Sequence, residues 1–211
     1  MKKISILTLL LTIIFVSCKE NISFETEKVS DSQIEASIQF PVYKKYPEIS
    51  KKAREIIEKD YEDYKKFNTS PDISFKLSYR TQCEDLSNSS FINLNIHKFI
   101  YAGPTIEDEY IISIVYNKKT KEFETIESLT GMEYEEYSKI CQEEVFNQLD
   151  DISEKDEVFI KDWIKSGTQN MPIYWTAYNA DKNYVTILFS QGQVLSNWYG
   201  TRSVKIQRKK R

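Results

Sequence analysis

Hydrophobic and polar positions alternate from residue 34 onward. Ile34, Ala36, Ile38 and Phe40 are separated by Glu35, Ser37 and Gln39, the period of a half-buried strand ending near Tyr43. The period then changes. Ile49, Ala53, Ile56, Ile57, Tyr64 and Phe67 recur at three- and four-residue steps with charges between them, which predicts a helix. Pro47 and Glu48 suit its first turn, and Asn68 followed by Pro71 stops it. Three extended runs follow, at 73–81, 91–102 and 110–116, the last apolar on both faces apart from Ser113. A turn at 117–121 leads into a short strand at 123–126, and an antiparallel meander is the economical topology.

Helical spacing returns in Tyr137, Ile140, Cys141, Val145 and Leu149. A second helix is expected from about Glu154 to Lys165, capped by Ser153 and ended by Gly167, with Val158, Phe159, Trp163 and Ile164 as its buried side. Strands are expected again at 173–178, 184–189 and 203–206. The fold class predicted is α+β, an antiparallel β-sheet with helices packed mainly on one face.

Forty per cent hydrophobic residues supply a real core, so a wholly disordered chain is excluded. The net charge of −3 argues against nucleic acid as a partner, and one His without a cysteine cluster excludes most zinc sites. Neither a metal nor a cofactor is expected. Residues 1–17 read as a secretory signal: Lys2 and Lys3, then an apolar run from Ile4 to Val16 that is short for a membrane span. Ser17 directly before Cys18 resembles a bacterial lipobox, with Phe15 where Leu is usual, so lipidation is expected at Cys18. Such an anchor would place the chain in the cell envelope, periplasmic or surface-exposed, with 18–33 as a polar tether and 208–211 as a basic tail. Loss of Lys2 and Lys3 would move the net charge to −5. In an oxidising compartment Cys83 and Cys141 could close a disulfide, for which chain entropy gives about 4 kcal/mol; alternatively Cys141 simply packs on its helix's apolar stripe.

The order of parts from 34 to 207 carries a resemblance. The segments are Tyr46-Pro47-Glu48-Ile49; Asn93-Leu94-Asn95 with Tyr101-Ala102-Gly103; Asn117-Lys118-Lys119-Thr120-Lys121 leading to Ile126-Glu127-Ser128-Leu129; and Asn183 to Phe189 followed by Trp198-Tyr199-Gly200. Together they resemble the extracytoplasmic domain of the lysozyme-sensing anti-sigma factor RsiV and its lipoprotein relatives. Family members often carry a histidine just after the position of Gly103; Pro104, Thr105 and Ile106 stand here, so that histidine's role does not transfer. With no membrane helix or sigma-binding segment ahead of the domain, anti-sigma activity is not expected. The resemblance implies an exported binding domain, for a lysozyme-like protein or a cell-wall ligand.

The residues leave several chemistries open. His97 is the sole candidate for neutral-pH acid–base work; it lines a polar pocket on its strand face or is a structural histidine. Glu107, Asp108 and Glu109 form one acidic cluster, and Asp150, Asp151, Glu154, Asp156 and Glu157 another; both lack calcium-loop spacing and are solvated loops or steer a basic partner. Trp198 and Tyr199 can stack on sugar, anchor a protein, or pack over the sheet's end. No catalytic motif is present, and a peptidoglycan hydrolase built on paired carboxylates stands as the alternative to a binding domain, beside a structural envelope lipoprotein without a discrete ligand.

Overall fold

A computed structural model describes residues 22–30, 33–68, 76–101, 107–149 and 154–209, apart from the side chains of 154 and 155. Cys18, Pro71, the 103–106 turn, Asp150, Asp151, the Ser153 cap and residues 210–211 lie outside the described residues. The fold is α+β, as the pattern predicts. A six-stranded sheet runs in the order β1 (Ile22–Ser30), β2 (Ile34–Tyr43), β3 (Leu77–Asp85), β4 (Phe91–Tyr101), β5 (Asp108–Asn117) and β6 (Glu122–Phe123). Helix α1 (Pro47–Asn68) connects β2 to β3 and packs on one face of this sheet, burying Ile49, Ala53, Ile57, Tyr61 and Tyr64 against Ile38, Tyr79, Leu94 and Ile114. This crossover makes β2 and β3 parallel. The meander predicted from the periodicity therefore holds for β3 through β6 and not for the β2–β3 pair.

Helices α2 (Ile126–Thr130), α3 (Tyr134–Asn147) and α4 (Glu154–Gly167) surround a second core with β7 (Tyr178–Ala180), β8 (Tyr184–Phe189) and β9 (Arg202–Gln207). The closing strands form an antiparallel sheet of their own rather than extending the first. A 3₁₀ turn at Pro172–Trp175 replaces most of the strand expected at 173–178, because Pro172 lacks the N–H a ladder needs.

Strand alternation on β4 sorts the two cores. Ile92, Leu94 and Ile96 face α1, while Phe91, Asn93 and Asn95 face the second layer. Asn93 is buried, yet fully used: its amide nitrogen donates to the carbonyl of Ala180 at 2.9 Å and its oxygen accepts from the Ala180 amide at 2.8 Å. Ser113 extends the seam, donating to Asn95 Oδ1 at 2.7 Å and accepting from the Tyr178 amide at 3.0 Å, while its own amide donates to the Thr176 carbonyl. Side chains thus supply most of the hydrogen bonds that join the two sheets.

Four expectations are corrected by packing. Nine residues of the expected tether form β1, paired along its whole length with β2. Its side chains are almost all exposed, so no apolar alternation marks it; backbone pairing and the ion pairs of Arg54 with Glu25 and Glu27 hold it. Val158 and Phe159 are 67% and 64% exposed, because α4 turns Ile164 and Gly167 inward instead. Gly167 sets that orientation: a Cβ there would stand 2.0 Å from the Gln193 carbonyl oxygen. Phe67 is likewise exposed, in the last turn of α1.

Tyrosine hydroxyls on the rims of both cores end on polar partners. Tyr79 donates to Asp60, which also holds Lys98, and burial followed by that carboxylate pushes the phenol far up. Tyr137 donates to Glu127 at 2.6 Å in α2. Burial alone would raise the Glu127 carboxyl, but hydrogen bonds from Tyr137, the Glu127 backbone and Thr125 outweigh it, and the pKa falls below the ordinary value.

Asn93→Ala strands the buried Ala180 amide, while the Ala180 carbonyl keeps its hydrogen bond from Asn88, and should destabilise the fold by about 1–3 kcal/mol in denaturant unfolding. Tyr137→Phe should lower stability by about 1 kcal/mol at neutral pH, a figure discounted for the exposure of Glu127. The sign with pH follows from the lowered pKa: this contribution is complete above the ordinary glutamate value of about 4.3 and vanishes as pH falls through the folded value. Wild-type and variant stability curves should therefore converge in acid.

Candidate functional site

Burial along β4 changes midway: Phe91 to Ile96 are buried and His97 to Tyr101 are only partly so. The second layer stops there, leaving the far end of the sheet face open. Cross-strand register sets Gln82 and Ile111 beside His97, and Arg80 and Glu109 beside Phe99. His97 Nδ1 lies 2.8 Å from Glu109 Oε1, and Nε2 lies 3.5 Å from Glu84 Oε2. Phe99 stacks nearly parallel to the imidazole, at an interplanar angle of 17°. The Arg80 guanidinium sits 3.8 Å from the Phe99 centroid and pairs with Glu107 at 3.1 Å.

His97, Phe99, Gln82, Glu84 and Glu109 line an open groove of about 590 Å³, with Ile22 and Phe24 of β1 forming another wall. Glu84, Asp85 and Glu109 give it an acidic lining. Asp85 accepts hydrogen bonds from Tyr43 and Ser87, and burial plus this neighbour pushes the Tyr43 phenol far up. Among the described residues no Ser, Thr or Cys side chain bonds to His97, so nothing stands ready to be activated as a nucleophile. What the arrangement can do is receive a cation against carboxylates and flat aromatic walls.

The acidic run 107–109 does not act as one cluster. Strand alternation sends Glu107 and Glu109 to the His97 face and Asp108 to the opposite side. There Asp108 meets Gln191, Gly192 and Asn197 around a second cavity of about 580 Å³, beside the Lys98–Asp60 ion pair and the rings of Tyr110 and Tyr174. Trp198 and Tyr199 line neither cavity: Trp198 is 97% exposed, and Tyr199 faces Arg202. In the other acidic segment Glu157 pairs with Lys161 one turn along α4. Ile22, Phe24, Gln82, Glu84 and Asp85 are the groove residues that sequence reasoning missed. Gln82 and Glu84 could have been found from the even-numbered face of the third strand; Ile22 and Phe24 carried no signal.

Cys83 and Cys141 are free, buried thiols in different cores, Cys83 under α1 and Cys141 in α3, so the bridge entertained from sequence is not made. Burial pushes both thiols up to about 12. Among the described residues no group of three or more His, Cys, Asp or Glu side chains could hold a metal ion, and no helix is long and apolar enough to cross a membrane.

No protein-family model matches the chain, and no curated protein matches it. Solved structures do. A DUF3298 family protein from Pseudomonas aeruginosa aligns over 91% of this chain and 95% of its own with a TM-score of 0.64 at 12% identity. A DUF3298 family member from Bacteroides fragilis aligns over 89% and 91% with a TM-score of 0.53 at 9% identity. The chain therefore has the fold of DUF3298 proteins, which agrees at the level of fold with an RsiV-like domain.

Both thiols should resist a thiol reagent such as dithionitrobenzoate in the native state and react rapidly in denaturant, with equal gel mobility under reducing and non-reducing conditions. Fast native labelling of either would contradict the burial described.

Proposed function

We propose, from this shared fold and the geometry of the His97 groove, that the protein is a lipid-anchored extracytoplasmic binding domain for a basic partner protein. The observation that carries the reading is the convergence of Glu84, Asp85 and Glu109 with Phe24 and Phe99 on a sheet face that the second layer leaves uncovered. An incoming Lys or Arg would find the environment that Arg80 already occupies on Phe99, with carboxylates in reach. His97, tied to Glu84 and Glu109, positions the two carboxylates rather than performing chemistry. A lysozyme-like protein has the required charge and is the candidate that the sequence resemblance names.

Anchoring at Cys18 fits this arrangement. β1 begins at Ile22, so a lipidated Cys18 would lie within roughly 14 Å of the groove wall, four residues at full extension. The membrane would hold the domain close to the envelope surface, where a secreted muramidase acts.

Titration calorimetry of the purified full chain against a C-type lysozyme, at low and physiological salt, tests the proposal. Saturable binding that persists at physiological salt and weakens about tenfold or more in the Glu84→Gln/Glu109→Gln variant is expected. Heat that disappears with modest salt, or binding indifferent to both substitutions, would overturn it.

A further inference from the structure

Cations gather at the end of β4 away from the His97 groove. A pocket of about 320 Å³ opens between the start of β4, the β5–β6 turn, α2 and the chain's last described residues. Lys118, Lys119, Arg208 and Lys209 converge on it, with hydroxyls from Ser90 and Thr120. One acidic side chain, Glu124, also lines the pocket. It is buried, and its two oxygens already accept hydrogen bonds from Asn117 and Ser128. In a chain of net charge −3, four cations against one spent carboxylate make a local field of opposite sign.

The cations are held in place rather than scattered. Asn117 Oδ1 accepts from the amides of Lys119 and Thr120, and the Lys118 amide donates to the Ser90 carbonyl, which together fix the turn. The Lys118 ammonium donates to the Asn88 carbonyl at the rim. On the other wall, the Arg208 amide donates to Asn183 and the Lys209 amide to Leu129, pinning the chain end across two elements. The Arg208 guanidinium lies 4.8 Å from the Phe91 ring centroid, and the stem of Lys209 runs over Gly131, where a Cβ would be 2.5 Å from Lys209 Cδ. Lys119, Arg208 and Lys209 make no ion pair among the described residues. Three segments distant in sequence thus present charged donors and hydroxyls to one small cavity.

We propose that this pocket is an anion site that takes a phosphate group. Guanidinium, ammonium and hydroxyl donors around a shared void match the several acceptor oxygens and high charge density of phosphate better than a single carboxylate or chloride. A phosphate of this kind comes from two sources: free phosphate, or the phosphodiester of an anionic lipid headgroup. The site is separate from the His97 groove and does not depend on the function proposed for it.

The test is a titration of the full chain, in a phosphate-free detergent at constant ionic strength, with inorganic phosphate, with glycerophosphoglycerol as a soluble headgroup, and with chloride. Amide NMR shifts of 89–91 and 118–120 report binding. Saturable shifts at these residues with either phosphate probe and not with chloride are expected; tighter binding of the free ion or of the diester identifies the source. Lys119→Gln/Arg208→Gln should weaken binding about tenfold or more. Lys119→Gln alone, whose side chain holds no other group in place, should weaken it measurably with the rest of the spectrum unchanged. Absence of saturable shifts, equal shifts with chloride, or unchanged affinity in both variants would overturn the assignment.

Discussion

The structure depends on the seam between its two sheets, and the seam depends on Asn93. A side-chain amide carries the donor and acceptor of a peptide group, and Asn93 uses both on Ala180 as a strand neighbour would. Burying a polar side chain between two apolar cores is unfavourable unless every partner is made. Here the partners are made, and the result is specificity: β7 can sit over β4 and β5 in one register only, with Ser113 and Asn95 repeating the constraint two residues on. Aliphatic residues in these positions would bury more apolar area and would leave the second layer free to slide.

Where the seam ends, the groove begins. The second layer covers β4 as far as Asn95, and the next residue on the same face is His97. The position of the candidate site is thus a by-product of how the two cores are joined. The molecule also divides its charge. Carboxylates collect on the open sheet face, cations collect at the opposite end of β4, and the intervening stretch of that face is covered by the second layer.

Periodicity made the elements legible wherever one face was buried and the other wet. The second to fifth strands and α1 announce themselves in this way, and Asn93, Asn95 and His97 were visible as polar residues on an otherwise apolar strand. Three things were not legible. β1 has no buried face, so its existence rests on backbone pairing that leaves no side-chain signature. The buried side of α4 is set by the contact of Gly167 with the Gln193 backbone, a long-range fact that made Ile164 inward and Phe159 outward. Register across β3, β4 and β5 decides that Glu84 and Glu109, and not Glu107, meet His97, and no pattern within a single strand contains that information. The acidic run at 107–109 shows the converse lesson: adjacency in sequence is separation in a strand, and its members serve two different cavities.

Edge strand β1 has a mechanical side. It lies outermost in the sheet, and its first residues, Ile22 and Phe24, form one wall of the groove. On the proposed anchoring, any tension between membrane and domain enters the fold at Ile22. Antiparallel pairing would then unzip from that end, opening Ile22 from Tyr43 and Phe24 from Pro41 before the load reaches Glu25 and Glu27, which Arg54 clamps to α1. The groove would lose a wall while the cores stayed intact, so force on the leash and occupancy of the groove would be coupled through a strand that buries almost nothing.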